Sequence, residues 1–399
     1  MTAENPATSS ASQGKRQDGN AQIIATVFIT FVAFLTVGLP LAVLPTYVHT
    51  NLGYSTVMAG FAISIQYIAT VLTRARVGQI ADSRGPKITV IWGLMACFGS
   101  GILLLASGLL DHFGSLGLGL LLASRLLLGM GESLVGTGAI AWAIGRVGPE
   151  KTARIIAWNG VSTYGGMAVG APIGVYLVGF FGIAGIGVSV MMLALAGLAI
   201  ASPKPAAATV ISQDRLAVRH VLWRVLPHGM ALALATAGFG TITTFIVLFY
   251  GGRHWDGAAF ALSIFGLSFI ACRLIFADMI NRHGGLPVAI VSLVLQAMGQ
   301  FVLWSARAPA IALLGSGLTG FGFSLVFPAI GVEAVGRVPS ANRGSALGLY
   351  SMFLDVSLGI TGPAAGLIAS WYSEATPFLF GAIATLGGLV VTIMLAGRR

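Results

Sequence analysis

Long apolar stretches separated by short polar segments dominate the chain after residue 21. About 20 apolar residues in a helix cross the ~30 Å hydrocarbon layer of a bilayer. Twelve stretches reach that length, at residues 22–48, 57–76, 88–110, 116–145, 154–180, 182–201, 222–250, 258–277, 286–306, 309–336, 344–371 and 375–397. The pattern therefore predicts an all-α polytopic membrane protein with twelve transmembrane helices.

The polar segments divide these helices into two groups of six. Residues 1–21 are polar and predict a disordered cytoplasmic tail. Connections are short except at residues 202–221, which begin Ser-Pro-Lys-Pro and predict a cytoplasmic linker. We therefore expect an N-terminal six-helix bundle at 22–201 and a C-terminal six-helix bundle at 222–399.

Composition and charge support the membrane assignment and give it an orientation. Only 9% of the residues are charged, against about 25% in a typical soluble domain. With the N-terminus in the cytoplasm, nearly all Lys and Arg residues fall in cytoplasmic segments or at cytoplasmic span ends; the exceptions are Arg125, Arg253 and Arg307. This asymmetry follows the positive-inside rule and places both termini in the cytoplasm. It also explains the net charge of +10 without a nucleic-acid partner.

The two groups of six helices contain an internal repeat. The sequence Phe-Ala-Ile-Ser-Ile at 61–65 returns as Phe-Ala-Leu-Ser-Ile at 260–264, and Arg74 maps onto Arg273 at the same offset of 199 residues. Pro172 maps onto Pro363 at an offset of 191. Six-span halves in parallel duplication predict pseudo-two-fold symmetry about the membrane normal, with a substrate site between the halves at mid-depth.

A polar motif at residues 78–87 connects the second and third spans. It reads Gly-Gln-Ile-Ala-Asp-Ser-Arg-Gly-Pro-Lys, and its degraded copy 199 residues later has Asn281 in place of Asp82. A carboxylate is favoured near the positive end of another helix, and glycine permits a tight turn. The candidate latch residues are Gly78, Asp82, Arg84, Gly85 and Lys87. The alternative is a loop that only fixes topology.

Three charged residues lie inside apolar spans, where charges are costly. Arg125 and Glu132 are seven residues apart, so they share one face of the fourth span at a separation of about 10 Å. Asp355 lies in the middle of the eleventh span among apolar neighbours. We expect Glu132 or Asp355 to carry a proton and Arg125 to tune it or to bind an anionic substrate. The alternatives are a structural ion pair and a buried Asp that bonds to a neighbouring helix.

Small and polar residues within the spans predict packing and substrate contacts. Small residues let membrane helices approach closely, here across the boundary between the halves. The packing candidates are Gly129, Gly166, Gly170, Pro172, Gly174, Gly362 and Pro363. The substrate-binding candidates are Gln66, Asn159, Tyr164 and Tyr350, each with a hydrogen bond between helices as its alternative.

Taken together, these motifs resemble those of the major facilitator superfamily. The motif at 78–87 resembles the family signature between spans two and three, with Ser83 where a basic residue is usual. Residues 121–133 resemble the fourth-span signature. Residues 166–174 resemble the fifth-span signature associated with antiporters, with Ala171 in place of a glycine. Spans four and eleven are most similar to bacterial drug or sugar (arabinose-type) efflux permeases.

The resemblance implies a fold, an activity and a latch. The fold is two pseudo-symmetric six-helix bundles working by alternating access, in the bacterial inner membrane. The implied activity is export of a small organic compound in exchange for protons, with the proton gradient as energy source and no cofactor. Asp82 would contact the start of the eleventh span near Arg343 and hold the halves in the outward-facing state.

The partners expected are the lipid bilayer, a small-molecule substrate and protons, and we expect a monomer. The sequence has no phosphate-binding loop, hydrolase motif or paired metal ligands, so it predicts neither an enzyme nor a metal site. The alternatives are proton-coupled import, uniport, and, less readily, a membrane sensor or a membrane-embedded enzyme.

Overall fold

The computed structural model describes residues 6–111, 114–148, 151–207, 218–276, 278–339 and 342–397. Within these ranges the chain folds into helices joined by short turns, and no β-strand occurs. Apolar side chains face both the interior and the outer surface of the helix assembly; Leu72, Phe180 and Trp371 are among the large exposed ones. Such a surface suits a protein that has lipid as its solvent.

The first half contains α1 (Pro6–Leu41), α2 (Thr56–Arg84), α3 (Pro86–Leu109) and α4 (Ser115–Val147). One helical segment, Thr152–Ala201, follows and supplies α5 (152–181) and α6 (183–201). The second half contains α7 (Val218–Gly252), α8 (Ala258–Ile275), α9 (Gly285–Trp304), α10 (Pro309–Gly336), α11 (Arg343–Trp371) and α12 (Thr376–Ala396). Short helical turns at Leu44–Thr46, Tyr47–Asn51 and Met279–His283 lie between these helices.

Twelve crossings result because one of the eleven membrane-length apolar segments counts twice. That segment, Arg154–Ala201, has 48 residues and would extend for about 70 Å as one helix, more than twice the hydrocarbon thickness. Gly182 divides it with φ 62° and ψ −166°, a conformation that only glycine adopts readily. The predicted all-α fold with twelve transmembrane helices is thereby confirmed.

Three predicted boundaries differ from the structure. Helix α1 begins at Pro6, so most of the expected disordered tail is helical. Helix α7 begins at Val218, before the predicted end of the linker at residue 221, and residues 208–217 lie outside the described residues. Helix α2 continues to Arg84, so most of the predicted loop at 78–87 is helix. Gly85, with φ 97°, makes the whole turn into α3.

The helix packing repeats after six helices. In the first half α1 packs on α5, α2 on α4, and α3 on both α4 and α6. In the second half α7 packs on α11, α8 on α10, and α9 on both α10 and α12. Each pairing in the first half therefore has its counterpart in the second, as the sequence repeat predicts.

The halves meet mainly along two helix crossings, α2 with α11 and α5 with α8, which the repeat relates to each other. At the α2–α11 crossing, Thr56 donates a hydrogen bond to the carbonyl oxygen of Gly366 at 3.0 Å. Ser64 donates to the carbonyl oxygen of Leu358 at 2.7 Å and accepts from the backbone N–H of Gly362 at 3.1 Å. We call the end of the assembly where Thr56 and Gly366 lie the closed end.

Helices α2 and α11 diverge away from the closed end. A Cβ atom on Gly60 would collide with the backbone of Gly362, so the two helices touch there. Gly78 lies 18 residues, or five helical turns, after Gly60 on the same face, yet a Cβ atom there would meet nothing within 4 Å. Gly348, about four turns before Gly362 on α11, is equally open. The crossing is therefore tight at one end and splayed at the other.

Candidate functional site

An ion pair joins the two halves at the boundary. Nη2 of Arg74, on α2, lies 2.5 Å from Oδ2 of Asp355, on α11. The Asp355 side chain is 3% exposed and that of Arg74 is 24% exposed. Arg74 follows Ser64 on α2 by almost three turns, and its side chain extends back toward the closed end, as helical side chains do. The sequence singled out Asp355 but not its partner, although the repeat had already matched Arg74 with Arg273.

A second carboxylate lies within electrostatic reach of this pair. Glu132 of α4 accepts a hydrogen bond of 2.5 Å from Nε2 of Gln66 on α2, and it interacts electrostatically with Asp355, Arg74 and Arg125. Gln66 is fully buried, whereas Glu132 is partly buried. Gln66, predicted as a substrate contact, is thus engaged with the predicted proton carrier in this conformation.

Arg125 occupies a buried position on α4, on the closed-end side of Glu132. It is 1% exposed, and its three side-chain nitrogens have no hydrogen-bond partner among the described residues. Its strongest electrostatic interactions are with Tyr67 and Glu132. The Tyr67 hydroxyl is also buried without a hydrogen-bond partner in the described part of the chain. Arg125 and Glu132 are therefore neighbours, but they do not form a direct ion pair.

An aromatic cluster fills the boundary beside these charges. Tyr164 of α5 extends from the first half into a group of second-half rings, with its ring centroid 3.8 Å from that of Phe269 and 5.5 Å from that of Phe239. Phe265 and Phe323 complete the cluster, at 6.3 and 6.2 Å from Tyr164. The sequence named only Tyr164, because second-half phenylalanines look like ordinary apolar span residues until the fold brings them together.

Arg273 of α8 borders the aromatic cluster. Its Nη2 donates a hydrogen bond of 2.6 Å to the carbonyl oxygen of Ser324, and its guanidinium lies 4.9 Å from the Phe269 ring centroid. It also interacts electrostatically with Tyr164 and lies directly against Gly160 of α5. The sequence predicted Arg273 as the repeat counterpart of Arg74 and as a cytoplasmic positive charge, but not as a residue of the candidate site.

The other predicted substrate contacts lie elsewhere. Asn159 of α5 accepts a hydrogen bond of 3.0 Å from Thr30 of α1, and both are inside the first half. Tyr350 of α11 is fully buried, and its hydroxyl donates to the carbonyl oxygen of Phe327 at 3.1 Å, inside the second half. In this conformation Tyr350 is enclosed away from the boundary.

The predicted packing residues occupy two kinds of contact. Gly129 lies against the backbone of Gln66, and Gly362 against that of Gly60, the latter across the boundary. Gly166, Gly170 and Gly174 instead pack on the α1 backbone from Phe31 to Leu39. That contact is within one half, which corrects the expectation that these glycines bridge the halves. Pro172 and Pro363 lie inside α5 and α11 at equivalent positions.

The predicted latch is only partly described. Asp82 lies in the last turn of α2, but its side chain lies outside the described residues.

The other predicted latch residues make contacts inside the first half or have open space around them. Arg84 stacks on Trp92 with 4.9 Å between its guanidinium carbon and the ring centroid. Lys87 donates hydrogen bonds to the carbonyl oxygens of Ser202 and Lys204 at 2.7 and 2.6 Å. Gly78 and Gly85 have open space around them. Lys87 therefore ties α3 to the segment after α6, within the first half.

Little space is left between the halves near the closed end. A cavity of about 10 Å³ is lined by residues of α1, α5, α7 and α8, including Leu41, Tyr164 and Phe239. That volume holds about one water molecule at most. A larger apolar groove of about 370 Å³ runs between α8 and α10, lined by residues such as Ile264 and Leu314. It contains no charged residue, so the charged boundary residues form the better candidate site.

No group of three His, Cys, Asp or Glu side chains with metal-binding geometry occurs in the ranges that the structure describes. Cys97 and Cys272 are buried free thiols. The chemistry on which the site can draw is therefore that of two carboxylates, three arginines and a group of aromatic rings.

Comparison with known proteins gives consistent results. A family model described as the Major Facilitator Superfamily matches residues 26–284 and 230–399. An uncharacterized MFS-type transporter of Burkholderia mallei (strain SAVP1) is 51% identical over 381 residues, covering 95% of this chain and 93% of that relative. Another, from Pseudomonas aeruginosa (strain LESB58), is 49% identical over 391 residues, covering 98% of this chain and 97% of that relative.

Solved structures share the same architecture at low sequence identity. A D-xylose–proton symporter superimposes with a TM-score of 0.77 at 15% identity, covering 93% of this chain and 96% of its own. The nucleoside transporter NupG, solved as a point mutant, gives a TM-score of 0.72 at 16% identity, covering 94% of this chain and 99% of its own. These likenesses establish the fold, and they say nothing of the substrate.

Proposed function

The chain belongs to the major facilitator superfamily, and on that premise we propose that it exports a small organic compound from the bacterial cytoplasm in exchange for protons. Family membership makes it a multi-pass secondary transporter rather than an enzyme. The direction of transport, the proton coupling and the position in the inner membrane are the proposal. The expected partners are lipid, protons and the transported compound, with no nucleic acid and no cofactor, and the protein acts as a monomer.

The observation that carries the proposal is the pair of carboxylates at the boundary. Glu132 and Asp355 come from different halves, interact electrostatically, and lie at mid-span where a carboxylate must be paired or protonated. Glu132 has Gln66 as its hydrogen-bond donor, and Asp355 has Arg74 as its ion-pair partner. Each can therefore exist charged with a partner, or neutral without one, which a proton-coupled carrier needs.

The positive-inside rule indicates which side of the membrane the closed end faces. Helix α2 begins at the outer side in that orientation, so the tight crossing at Thr56 and Gly366 seals the outer side. The open space at Gly78 and Gly348 then faces the cytoplasm. We take this conformation as the inward-facing state of an alternating-access cycle, in which a cytoplasmic compound reaches the boundary.

The exchange follows because the proton and the compound compete for the carboxylate of Glu132. A proton arriving from outside neutralises Glu132, and the neutral site returns to the inward-facing state. There the compound engages Glu132, and the proton leaves for the cytoplasm. The aromatic cluster around Tyr164 supplies an apolar surface for the compound, and the proton gradient supplies the energy.

The test uses purified protein in liposomes, with compounds that accumulate in vesicles containing the protein. We expect Glu132→Gln and Asp355→Asn each to reduce transport driven by a pH gradient by at least about tenfold, which corresponds to about 1.4 kcal/mol. Substrate–substrate exchange without a gradient should also fall in Glu132→Gln, because the compound engages the carboxylate that the amide replaces. Asp256→Asn, in an exposed loop, is the matched control. If both carboxylate variants kept full gradient-driven transport, the proposal would be wrong.

Proton-coupled import or uniport is the second candidate. It is favoured by the departure at Ala171 from the fifth-span signature that antiporters share. The same liposomes separate the candidates, because import reverses the sign of the proton movement that accompanies the compound. Uniport leaves the internal pH unchanged.

A further inference from the structure

Two arginines related by the repeat reach across the boundary at equivalent places. Arg74 of α2 and Arg273 of α8 are 199 residues apart and occupy matching positions in the two halves. Arg74 reaches α11 and pairs with Asp355, whereas Arg273 reaches α5 and lies beside Tyr164 and Gly160. The repeat also maps Tyr164 onto Asp355, at an offset of 191 residues. The same arginine contact is therefore built twice, once with a carboxylate and once without.

The two contacts differ in what holds the arginine. Arg273 donates to the carbonyl oxygen of Ser324 in its own half and stacks on Phe269. Among the described residues no carboxylate lies within 4.0 Å of it. Backbone carbonyls and aromatic rings do not titrate, so this contact keeps its strength at any physiological pH. The Arg74 contact depends on the charge of Asp355.

The surroundings of Asp355 make its charge depend on Arg74. The other titratable groups facing it are Tyr67 from α2, Glu132 from α4 and Tyr164 from α5. On α7, which packs against α11, His228 is buried next to Gly229, and Gly229 contacts Phe353. Among the described residues, the ion-pair partner of Asp355 is Arg74 on α2. Loss of either charge therefore removes the one ionic link between α2 and α11 that the described residues form.

We propose that Arg74 is the positioning residue that makes the α2–α11 crossing open and close with the charge of Asp355, while the α5–α8 crossing acts as a pH-independent pivot. With Asp355 charged, separation of the helices would leave a carboxylate unpaired in the membrane, which is costly. With Asp355 protonated, uncharged contacts hold the crossing, including the hydrogen bonds of Thr56 and Ser64 and the close glycine packing. One crossing of a symmetric scaffold thus responds to protons, and the other does not.

This inference concerns conformation and goes beyond the proposed function. It is tested without any substrate, so its failure is distinguishable from a failure of transport. Spin labels are placed on the closed-end side of the two crossings. Asn51→Cys with Tyr372→Cys reports the α2–α11 crossing, and Phe181→Cys with Asp256→Cys reports the α5–α8 crossing; all four positions are exposed. Cys97 and Cys272 are buried, so the label attaches to the introduced cysteines.

Pulsed-EPR distances are then measured in lipid nanodiscs between about pH 8 and pH 5. We expect acidification to raise the long-distance population at the α2–α11 pair by at least about threefold, a shift of about 0.7 kcal/mol. The α5–α8 pair should change little. Asp355→Asn should give the long distance at all pH values, and Arg74→Gln should do the same. Arg74→Lys keeps the charge and should keep the pH response.

Two further variants make the test decisive. The double variant Arg74→Gln with Asp355→Asn removes both charges at once, so it leaves no unpaired charge to disturb folding, and we expect it to be open at every pH. Arg273→Gln is the matched control, and it should keep the wild-type pH response at α2–α11. A full pH response in Asp355→Asn or in the double variant would overturn the inference. So would loss of the response in Arg273→Gln.

Discussion

Arg125 and Asp355 are both ionisable and buried, but they differ in the partners that the structure gives them. Asp355 has a direct ionic partner in the other half, whereas the guanidinium of Arg125 has no hydrogen-bond partner among the described residues. A buried charge with incomplete pairing costs stability, and proteins retain such groups where function uses them. We therefore propose that Arg125 is retained to act on a substrate or a proton rather than to stabilise the fold.

Replacement of Arg125 should abolish transport without lowering the stability of the fold. Arg125→Met removes a poorly paired buried charge while keeping an apolar chain of similar length. The apolar side chain needs no partner in the membrane, whereas the poorly paired guanidinium carries a desolvation cost. We expect an unchanged or higher melting temperature in detergent together with loss of transport in liposomes. A lower melting temperature would make Arg125 a structural residue instead, and so would unchanged transport.

Glu374 offers a test of pH-dependent stability outside the spans. It lies in the turn between α11 and α12, where partial burial raises the pKa of its carboxyl, while His49 and Arg253 act in the opposite direction. A carboxyl whose folded-state pKa is raised stabilises the fold at low pH, and this contribution is lost as the pH rises through the folded-state value. Melting temperatures of Glu374→Gln should therefore lose part of the wild-type decline toward neutral pH. Asp256→Asn should keep it, and an unchanged profile in Glu374→Gln would contradict the argument.

Three candidate residues of the site could be named from the sequence because charged side chains are conspicuous within apolar spans. It singled out Glu132, Arg125 and Asp355 in this way, but neither Arg74 as the partner of Asp355 nor Phe239 and Phe269 as the ring neighbours of Tyr164. Those contacts join residues far apart in the chain, and their geometry depends on how the halves dock. Phenylalanines in apolar spans give no local signal at all.

At the scale of helices, the α2–α11 crossing owes its closeness to glycine. Gly60 and Gly362 bring the two backbones into contact, and Ser64 and Thr56 bond to carbonyl oxygens of the opposite helix. In lipid such packing and hydrogen bonding, rather than hydrophobic burial, drive helix association. The closed end is therefore sensitive to single added methyl groups.

Gly362→Ala tests this sensitivity with a control on the same helix. The new methyl group would collide with Ser64 and the Gly60 carbonyl, whereas Gly348→Ala would meet nothing within 4 Å. Overpacking of this kind typically costs about 1–3 kcal/mol. We expect Gly362→Ala to weaken closure of the crossing and slow transport by at least about tenfold at equal expression. Equal transport by both variants would show that the crossing tolerates extra volume.

Helix existence was predictable from sequence, and helix ends were less so. Twelve runs of apolar residues were enough to place twelve crossings, including the two that Gly182 separates. The run of polar residues at 78–84 is helical because it extends α2 beyond the hydrocarbon layer, where polar side chains are no penalty. The packing of Gly166, Gly170 and Gly174 on α1 could not be inferred, because glycine spacing does not specify which helix will face it.

At the scale of the whole molecule, duplication has produced a symmetric scaffold with asymmetric chemistry. The helix pairings repeat after six helices, and the two boundary crossings are equivalent by that symmetry. Asp355 and Glu132 break it, and so does Asp82, whose place Asn281 takes in the second copy. We propose that the symmetric helices allow the halves to rock against each other and that single charges such as that of Asp355 control this motion.

Asp82→Asn makes the two connections more alike and tests the predicted latch. If Asp82 holds the halves together in the outward-facing state, the variant should insert normally but transport slowly or not at all. Asp278→Asn, in the corresponding connection of the second half, is the control and should transport normally. Transport rates and membrane levels are compared in cells and in vesicles. Normal transport by Asp82→Asn would reduce the motif to a topological signal.

The most direct test of the central claim is proton movement on substrate addition in everted membrane vesicles. Respiration acidifies the vesicle lumen, and a pH-sensitive dye follows that gradient while a panel of compounds is added. Proton-coupled export predicts that at least one compound makes the lumen more alkaline with the wild-type protein, and that Glu132→Gln combined with Asp355→Asn abolishes this signal. Compounds that cross the membrane through the protein with no proton movement, in every case, would contradict the account.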